Sequence, residues 1–285
     1  MSKGIQNVSD TAVWVATYRA EETLREDALF RDPLAKVLVG ERGPQIAKKM
    51  LGGNIVGWSV LIRTRIIDRF IEDSIQNGID TVLNLGAGLD TRPYRMNLPK
   101  DLRWVEVDFP EFIEEKNSVL KSEKPLCFLE RVGLDLSRSD LRKEFFSKLA
   151  SESKKVLVIT EGVVLYLSKE DVAALSQDLQ RFPCFRYWIV EYFDKSLMKR
   201  MLSGRINRKS LKNAPLRFDP GHFKKFFSSL GWHPKEIRYL MEEGEKLNRP
   251  APMSWLFKVF RIFLTEKRKK RMSQLSGYIL LESNH

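Results

Sequence analysis

The chain is poor in the residues that build metal centres and disulfide frameworks: its 285 residues include three histidines and two cysteines, Cys127 and Cys184. No H-E-x-x-H pattern or cysteine-pair spacing occurs, so no metal site is expected. The two cysteines read as small buried hydrophobes, and a reducing, cytoplasmic compartment is expected. No apolar run reaches the roughly 18 uncharged residues that a transmembrane helix needs. The segment Met1–Asp10 is polar and lacks the apolar stretch of a secretory signal. Internal repeats and low-complexity segments are also missing, which excludes a solenoid. No Ser–His–Asp set is recognisable.

What is present is an ordinary globular composition, 43% hydrophobic and 30% charged, in a chain long enough for one large α/β domain with insertions. The charge is lopsided. The net formal charge is +12, yet Lys195–His285 alone holds 21 Lys and Arg against 7 Asp and Glu, leaving the rest near neutral. A basic final third attracts an acidic partner: a nucleic acid, an anionic membrane surface or an anionic substrate. The alternative is a solvated basic face.

The first 75 residues read as helical. Asp10 can cap a helix over Thr11–Arg25, Asp32-Pro33 can start another, and Ile55–Ile75 is a longer amphipathic stretch ended by Asn77-Gly78. From Ile79 the pattern changes to short apolar runs alternating with helical segments. Strands are predicted over Thr81–Leu85, Leu102–Val107, Phe128–Val132, Lys155–Thr160 and Arg186–Glu191. Helices are predicted over Pro110–Leu120, Ser139–Ala150 and Lys169–Arg181. This alternation implies βαβ units on a parallel sheet. Further on, a helix ends at Gly231-Trp232, Glu236–Leu240 is a strand candidate and Gly277–Leu281 a last strand. Lys195–Phe218 and Met241–Ser276 read as insertions. Within the second, Met253–Leu264 is apolar at helical spacing and is followed by the basic run Lys267–Arg271. It reads as a lid over a hydrophobic acceptor, as a surface for an anionic membrane or carrier protein, or as a helix packed on the core.

Chemistry concentrates at the predicted strand ends. The first βα turn contains Gly86-Ala87-Gly88, and two glycines allow a tight turn and close approach to a ligand. Ligands of open α/β sheets sit at the carboxyl ends of the strands. A dinucleotide site would have a third glycine where Thr91 stands, which argues against that ligand. Asp108 ends the next strand, about 20 residues on, where a carboxylate can accept hydrogen bonds from both hydroxyls of a ribose; it can also cap the following helix. Asp135 follows the third strand, placed to read an adenine amino group, and Glu161 ends the fourth.

Three segments together resemble the leucine carboxyl methyltransferase family: Asn84-Leu-Gly-Ala-Gly-Leu-Asp-Thr-Arg-Pro-Tyr-Arg95, Glu106-Val-Asp-Phe-Pro110 and Glu161-Gly-Val-Val-Leu-Tyr-Leu167. They most resemble its bacterial branch, with polyketide O-methyltransferases of the tetracenomycin type. Arg19-Ala20-x-Glu22, Asp32-Pro33-x-Ala35 and Arg63-Thr64-Arg65 also match. The resemblance covers roughly Thr11–Phe193 and the strand Gly277–Leu281. It implies a class I, Rossmann-like methyltransferase fold: a doubly wound, seven-stranded, mostly parallel α/β sheet with an antiparallel last strand. It also implies S-adenosyl-L-methionine (SAM) as methyl donor. By position, Arg63 should meet the SAM carboxylate, Gly86, Ala87 and Gly88 the methionine part, Asp108 the ribose, Asp135 and Leu136 the adenine, and Glu161 the SAM amino group. The organisation expected is one domain over 1–285. Residues 1–77 would form an N-terminal helical lid or cap, 78–194 the SAM-binding core, and 195–285 the acceptor-side insertions and closing strands.

The function expected is methyl transfer to a carboxylate or hydroxyl of a small-molecule or carrier- or protein-borne acceptor. A carboxylate needs no base, whereas a hydroxyl benefits from one, with Tyr166, His222 and Glu161 as candidates. The alternatives are a nucleic-acid methyltransferase and a non-catalytic SAM-binding module. Base-methylating enzymes often carry an Asn/Asp-Pro-Pro-Tyr/Phe motif after the fourth strand, where this chain has Glu161-Gly-Val-Val. A nucleic-acid partner is therefore disfavoured.

Overall fold

Residues 8–49, 53–203, 215–252 and 265–285 are described by a computed structural model. Their centre is a seven-stranded sheet with strand order β3-β2-β1-β4-β5-β7-β6. The strands are β1 (Thr81–Leu85), β2 (Arg103–Asp108), β3 (Phe128–Gly133), β4 (Val156–Thr160), β5 (Phe185–Phe193), β6 (Trp232–Tyr239) and β7 (Ser276–Ser283). The first five pair in parallel, while β7 runs antiparallel to both β5 and β6. The order reverses beside β1, so β1 and β4 lead away from each other into helices and leave a crevice at their carboxyl ends.

The central strands are apolar on both faces because helices cover both. Leu83, Val105, Val158, Val190 and Ile279 point to one side, where they pack with Phe146, Val172 and Phe227. Val82, Trp104, Ile159, Ile189 and Leu280 point to the other, onto Ile62, Ile66, Phe70 and Ile71. The short helix α5 (Arg92–Arg95) follows β1 and α6 (Pro110–Val119) follows β2; the first side is layered by α7 (Ser139–Glu152), α8 (Lys169–Gln180) and the helix Phe223–Ser229, the second by α4 (Gly53–Gln76). Local signals explain where several helices start. Asp32 caps α2 (Pro33–Val39) by accepting a hydrogen bond from the Ala35 amide, and Ser168 with Asp171 forms a reciprocal capping box on α8.

The helix α1 (Val8–Thr23) packs on α2, α3 (Arg42–Lys49) and α4. Its Arg19 pairs with Asp32 at 2.8 Å and donates to the Leu89 carbonyl, tying α1 to the loop after β1. The late chain departs from expectation. β6 begins at Trp232, four residues before the predicted Glu236, and absorbs Pro234 through a register shift between Pro234 and Glu236. An edge strand tolerates that proline because its missing N–H need not face a neighbour. The described parts of the two stretches read as insertions carry the helices Lys195–Ser203, Leu240–Lys246 and Glu266–Ser273. The expected helix Met253–Leu264 lies outside the described residues. No helix among the described residues is long and apolar enough to cross a membrane.

One buried charge cluster supports the strand β2. Glu106 is fully buried and accepts from Lys116 Nζ and Arg131 Nε, both at 2.8 Å. Removing the carboxylate leaves two cations in low dielectric without their partner. We expect Glu106→Gln to lower unfolding stability by about 3–5 kcal/mol, measured by urea melts. A loss below about 1 kcal/mol would show that water reaches the cluster.

Candidate functional site

A cavity of about 400 Å³ opens at the carboxyl ends of the parallel strands. Arg63, Gly86, Ala87, Gly88, Asp108, Asp135, Leu136, Glu161 and Tyr166 all line it. His222 does not. It precedes the helix Phe223–Ser229, exposed to solvent.

The turn after β1 is shaped by backbone geometry. Gly86 has φ +68° and Gly88 φ +48°, in the left-handed region that glycine adopts without steric cost. A Cβ at Gly86 would also run into the Val163 side chain, so contact as well as conformation favours glycine here. The amides of Gly86 and Ala87 both donate to the Val107 carbonyl, at 2.8 and 3.1 Å, which holds the turn against the end of β2.

Asp108 stands beside that turn. Its Oδ2 accepts from the Gly88 amide at 2.7 Å and its Oδ1 from the Phe109 amide at 2.8 Å. Burial nevertheless raises its carboxyl above the ordinary range, outweighing the two amide donors. Phe109, Phe112, Leu134 and Leu136 form an apolar wall next to it. The Leu136 carbonyl is fixed by Arg142, itself held by Asp178 at 2.6 Å. The Asp135 carboxylate accepts from the Ser137 amide at 2.9 Å.

The opposite end of the cavity is ionic. Arg92, 2% exposed, reaches three carboxylates: Asp68 and Asp90 at 2.8 Å and Glu161 at 2.9 Å. Arg95 clamps Asp68 from the other side at 2.8 Å, and Arg63 pairs with Glu161 at 2.9 Å. Burial works against the ionised form of each carboxylate. The guanidinium groups outweigh it, so Asp68, Asp90 and Glu161 all sit below the usual carboxylate range, Asp90 far below. Asn84 extends the network from β1 by donating to Asp90 at 2.8 Å.

Sequence reasoning assigned no individual role to Arg92, Asp90, Asp68 or Glu191. The rule that singled out Asp108 and Glu161, a carboxylate at the end of a predicted parallel strand, applies equally to Glu191 at the end of the fifth. Tyr278, on the antiparallel β7, lines the cavity without any such signal.

The family model of leucine carboxyl methyltransferases matches residues 12–180. A Streptomyces coelicolor protein, provisionally named an S-adenosyl-L-methionine-dependent methyltransferase, is 36% identical over 58% of this chain and 62% of its own. A Frankia alni protein with the same provisional name is 28% identical over 85% of this chain and 89% of its own. The chain thus spans about three fifths of the length of the first relatives it matches. Two solved structures share the fold at 14% identity. One is a provisionally named methyltransferase from Thermobifida fusca, with TM-score 0.56 over 95% of this chain and 94% of that one. The other is a DUF574 family protein from Streptomyces avermitilis, with TM-score 0.57 over 94% and 96%.

The ion cluster makes a specific expectation. Replacing Arg92 by Met strands three buried carboxylates and should lower stability by about 3–5 kcal/mol near neutral pH. The wild-type carboxylates have depressed folded pKa values, so their contribution is present above the unfolded range near pH 4 and is lost on acidification. The gap between wild type and Arg92→Met should therefore widen from pH 3 to pH 6 in urea melts. A gap independent of pH would show that the three groups are not ionised together.

Proposed function

The chain belongs to the leucine carboxyl methyltransferase family, and from that premise we propose that it transfers the methyl group of SAM to an oxygen of a small-molecule or carrier-borne acceptor. The observation that carries this reading is the Asp108 carboxylate, pinned by the Gly88 and Phe109 amides beside the glycine turn, in a cavity at the strand ends.

The donor set fits SAM. Asp108 offers lone pairs to the ribose diol, and the wall of Phe109, Phe112, Leu134 and Leu136 suits the flat face of adenine, with Asp135 near its amino group. Arg63 and Glu161, opposite charges side by side, match the zwitterionic amino-acid end. When bound, SAM supplies a methyl carbon already activated by a sulfonium. The residues are left to align the acceptor, keep water out and manage one proton. Residues 1–77 act as a cap in this reading, because Thr11, Ala12, Val15 and Arg19 of α1 form part of the cavity wall. Of the described residues in 195–285, Tyr278 of β7 reaches the cavity wall, on the side this reading gives to the acceptor. Tyr166 bounds the acceptor end, and burial raises its phenol, so it stays neutral and serves as a hydrogen-bonding wall. His222 takes no part.

Asp108→Ala should weaken SAM binding at least ~100-fold and Arg63→Ala about 10–100-fold in calorimetry, the loss of charge-assisted hydrogen bonds. Unchanged affinity in both variants overturns the site assignment. Transfer from methyl-labelled SAM into a fractionated cell extract tests the acceptor class. Label in small molecules or protein supports the reading, and label confined to RNA replaces it.

A further inference from the structure

One buried carboxyl on the cavity wall has no part in holding SAM in the reading above. Glu191, near the end of β5, is 3% exposed and lines the cavity. Its Oε1 accepts from the Gly162 amide, while its Oε2 is buried with no hydrogen-bond partner. A buried carboxylate oxygen with no partner is costly, so its place on a ligand cavity calls for a partner that arrives with the ligand.

Four ionisable groups face it. Arg63 approaches from α4, Glu161 from the end of β4 and Tyr166 from the turn that follows, and Tyr278 is its register partner on β7. Both tyrosines are raised by burial and remain neutral. Among the described residues lining the cavity, the cations are Arg19 and Arg63. Arg19 is engaged by Asp32 and the Leu89 carbonyl; Arg63 is ion-paired with Glu161, and its Nε, which makes no hydrogen bond within the protein, is the group the SAM carboxylate takes in the reading above. An anionic acceptor would therefore meet two carboxyl groups and two phenols, with both cations already paired. A hydroxyl acceptor instead brings the donor that Oε2 lacks.

Resting on the methyl-transfer reading, we infer that the acceptor is a neutral hydroxyl compound, an alcohol or a phenol, and that Glu191 accepts its proton. The acceptor O–H bond breaks and its proton passes to Glu191 Oε2. The hydroxyl oxygen bonds the methyl carbon as the carbon–sulfur bond breaks, and that electron pair stays on sulfur as a neutral thioether. Glu191 then returns the proton to solvent. Burial, only partly offset by the backbone donors and Arg63, pushes its carboxyl up to about 7. This is the range in which a carboxylate is an effective base at neutral pH.

The test compares wild type, Glu191→Gln and Glu191→Asp, reading melting temperature, SAM binding and methyl transfer between pH 5 and 8. Glu191 has a folded pKa above its unfolded one, so its contribution to stability is present at low pH and lost as pH rises toward 7. Wild type should therefore lose several degrees of melting temperature relative to Glu191→Gln between pH 5 and 8. Glu191→Gln should bind SAM within about threefold of wild type by calorimetry, as a residue outside the SAM contacts would. With methyl-labelled SAM and a cell extract, wild type should yield label that mild alkali does not release, at a rate rising about tenfold per pH unit below 7. Glu191→Gln should be slower by about 10²–10⁴-fold with no inflection near 7, and Glu191→Asp should recover part of the rate. Label released by alkali as methanol marks a carboxyl acceptor and overturns the inference while leaving methyl transfer intact. A wild-type rate and pH profile in Glu191→Gln does the same. Failure of wild type to bind SAM overturns both readings.

Discussion

The guanidinium of Arg92 is the point on which the ligand end of this molecule depends. It is planar, permanently charged and able to serve several carboxylates at fixed angles. It joins Asp68 of α4, Asp90 of the loop after β1 and Glu161 at the end of β4. Those are three separate parts of the chain, joined at the cavity rim by one side chain. Arg63 and Arg95 extend the same network, so the rim is a largely buried lattice of alternating charges. A group that had to hold its partners in low dielectric while losing its own charge, as a lysine can, would not keep this geometry.

Around that lattice the cavity divides by chemistry. Near β2 and β3 it is apolar, with the Asp108 and Asp135 carboxylates held by backbone amides. Near β4 and β5 it carries paired charges, two tyrosines and Glu191. The contrast between Glu161 and Glu191 shows how environment sets role. Both are carboxyl groups at the ends of adjacent strands. Arg92 and Arg63 hold Glu161 ionised, while Glu191 is met mainly by a backbone amide and holds its proton into the neutral range. Two neighbouring carboxyls whose environments drive them apart can divide binding from proton transfer.

Much of the frame was legible from residue order. Apolar runs ending in Gly86-Ala87-Gly88, Asp108 and Glu161 placed the strands and the ligand edge together, because buried parallel strands read as continuous apolar segments and their carboxyl ends carry the polar groups. The Asp32-Pro33 signal placed the start of α2, and the helical segment read over Lys169–Arg181 falls within a residue of α8. The late chain was less legible. β6 carries Pro234 and a register shift, so its pattern has no clean alternation, and the strand's start was read four residues too late. The short helices Lys195–Ser203 and Glu266–Ser273 are rich in Lys and Arg and bury only Met198 between them, so each offers little more than two turns of helical pattern.

What the sequence alone determined was the class of sheet, the direction of its parallel strands and the set of strand-end residues that share the cavity, since each follows from local pattern and from the rule that parallel βαβ units are right-handed. Only the tertiary structure decided how those residues pair. That Arg92 gathers Asp68 and Glu161 from positions 24 and 69 residues away, that Glu191 faces Tyr278 across an antiparallel ladder, and that His222 lies outside the cavity are facts of long-range packing. Charge attracts charge at any sequence separation, so no local pattern could have told which carboxyl would find an arginine and which would be left holding its proton.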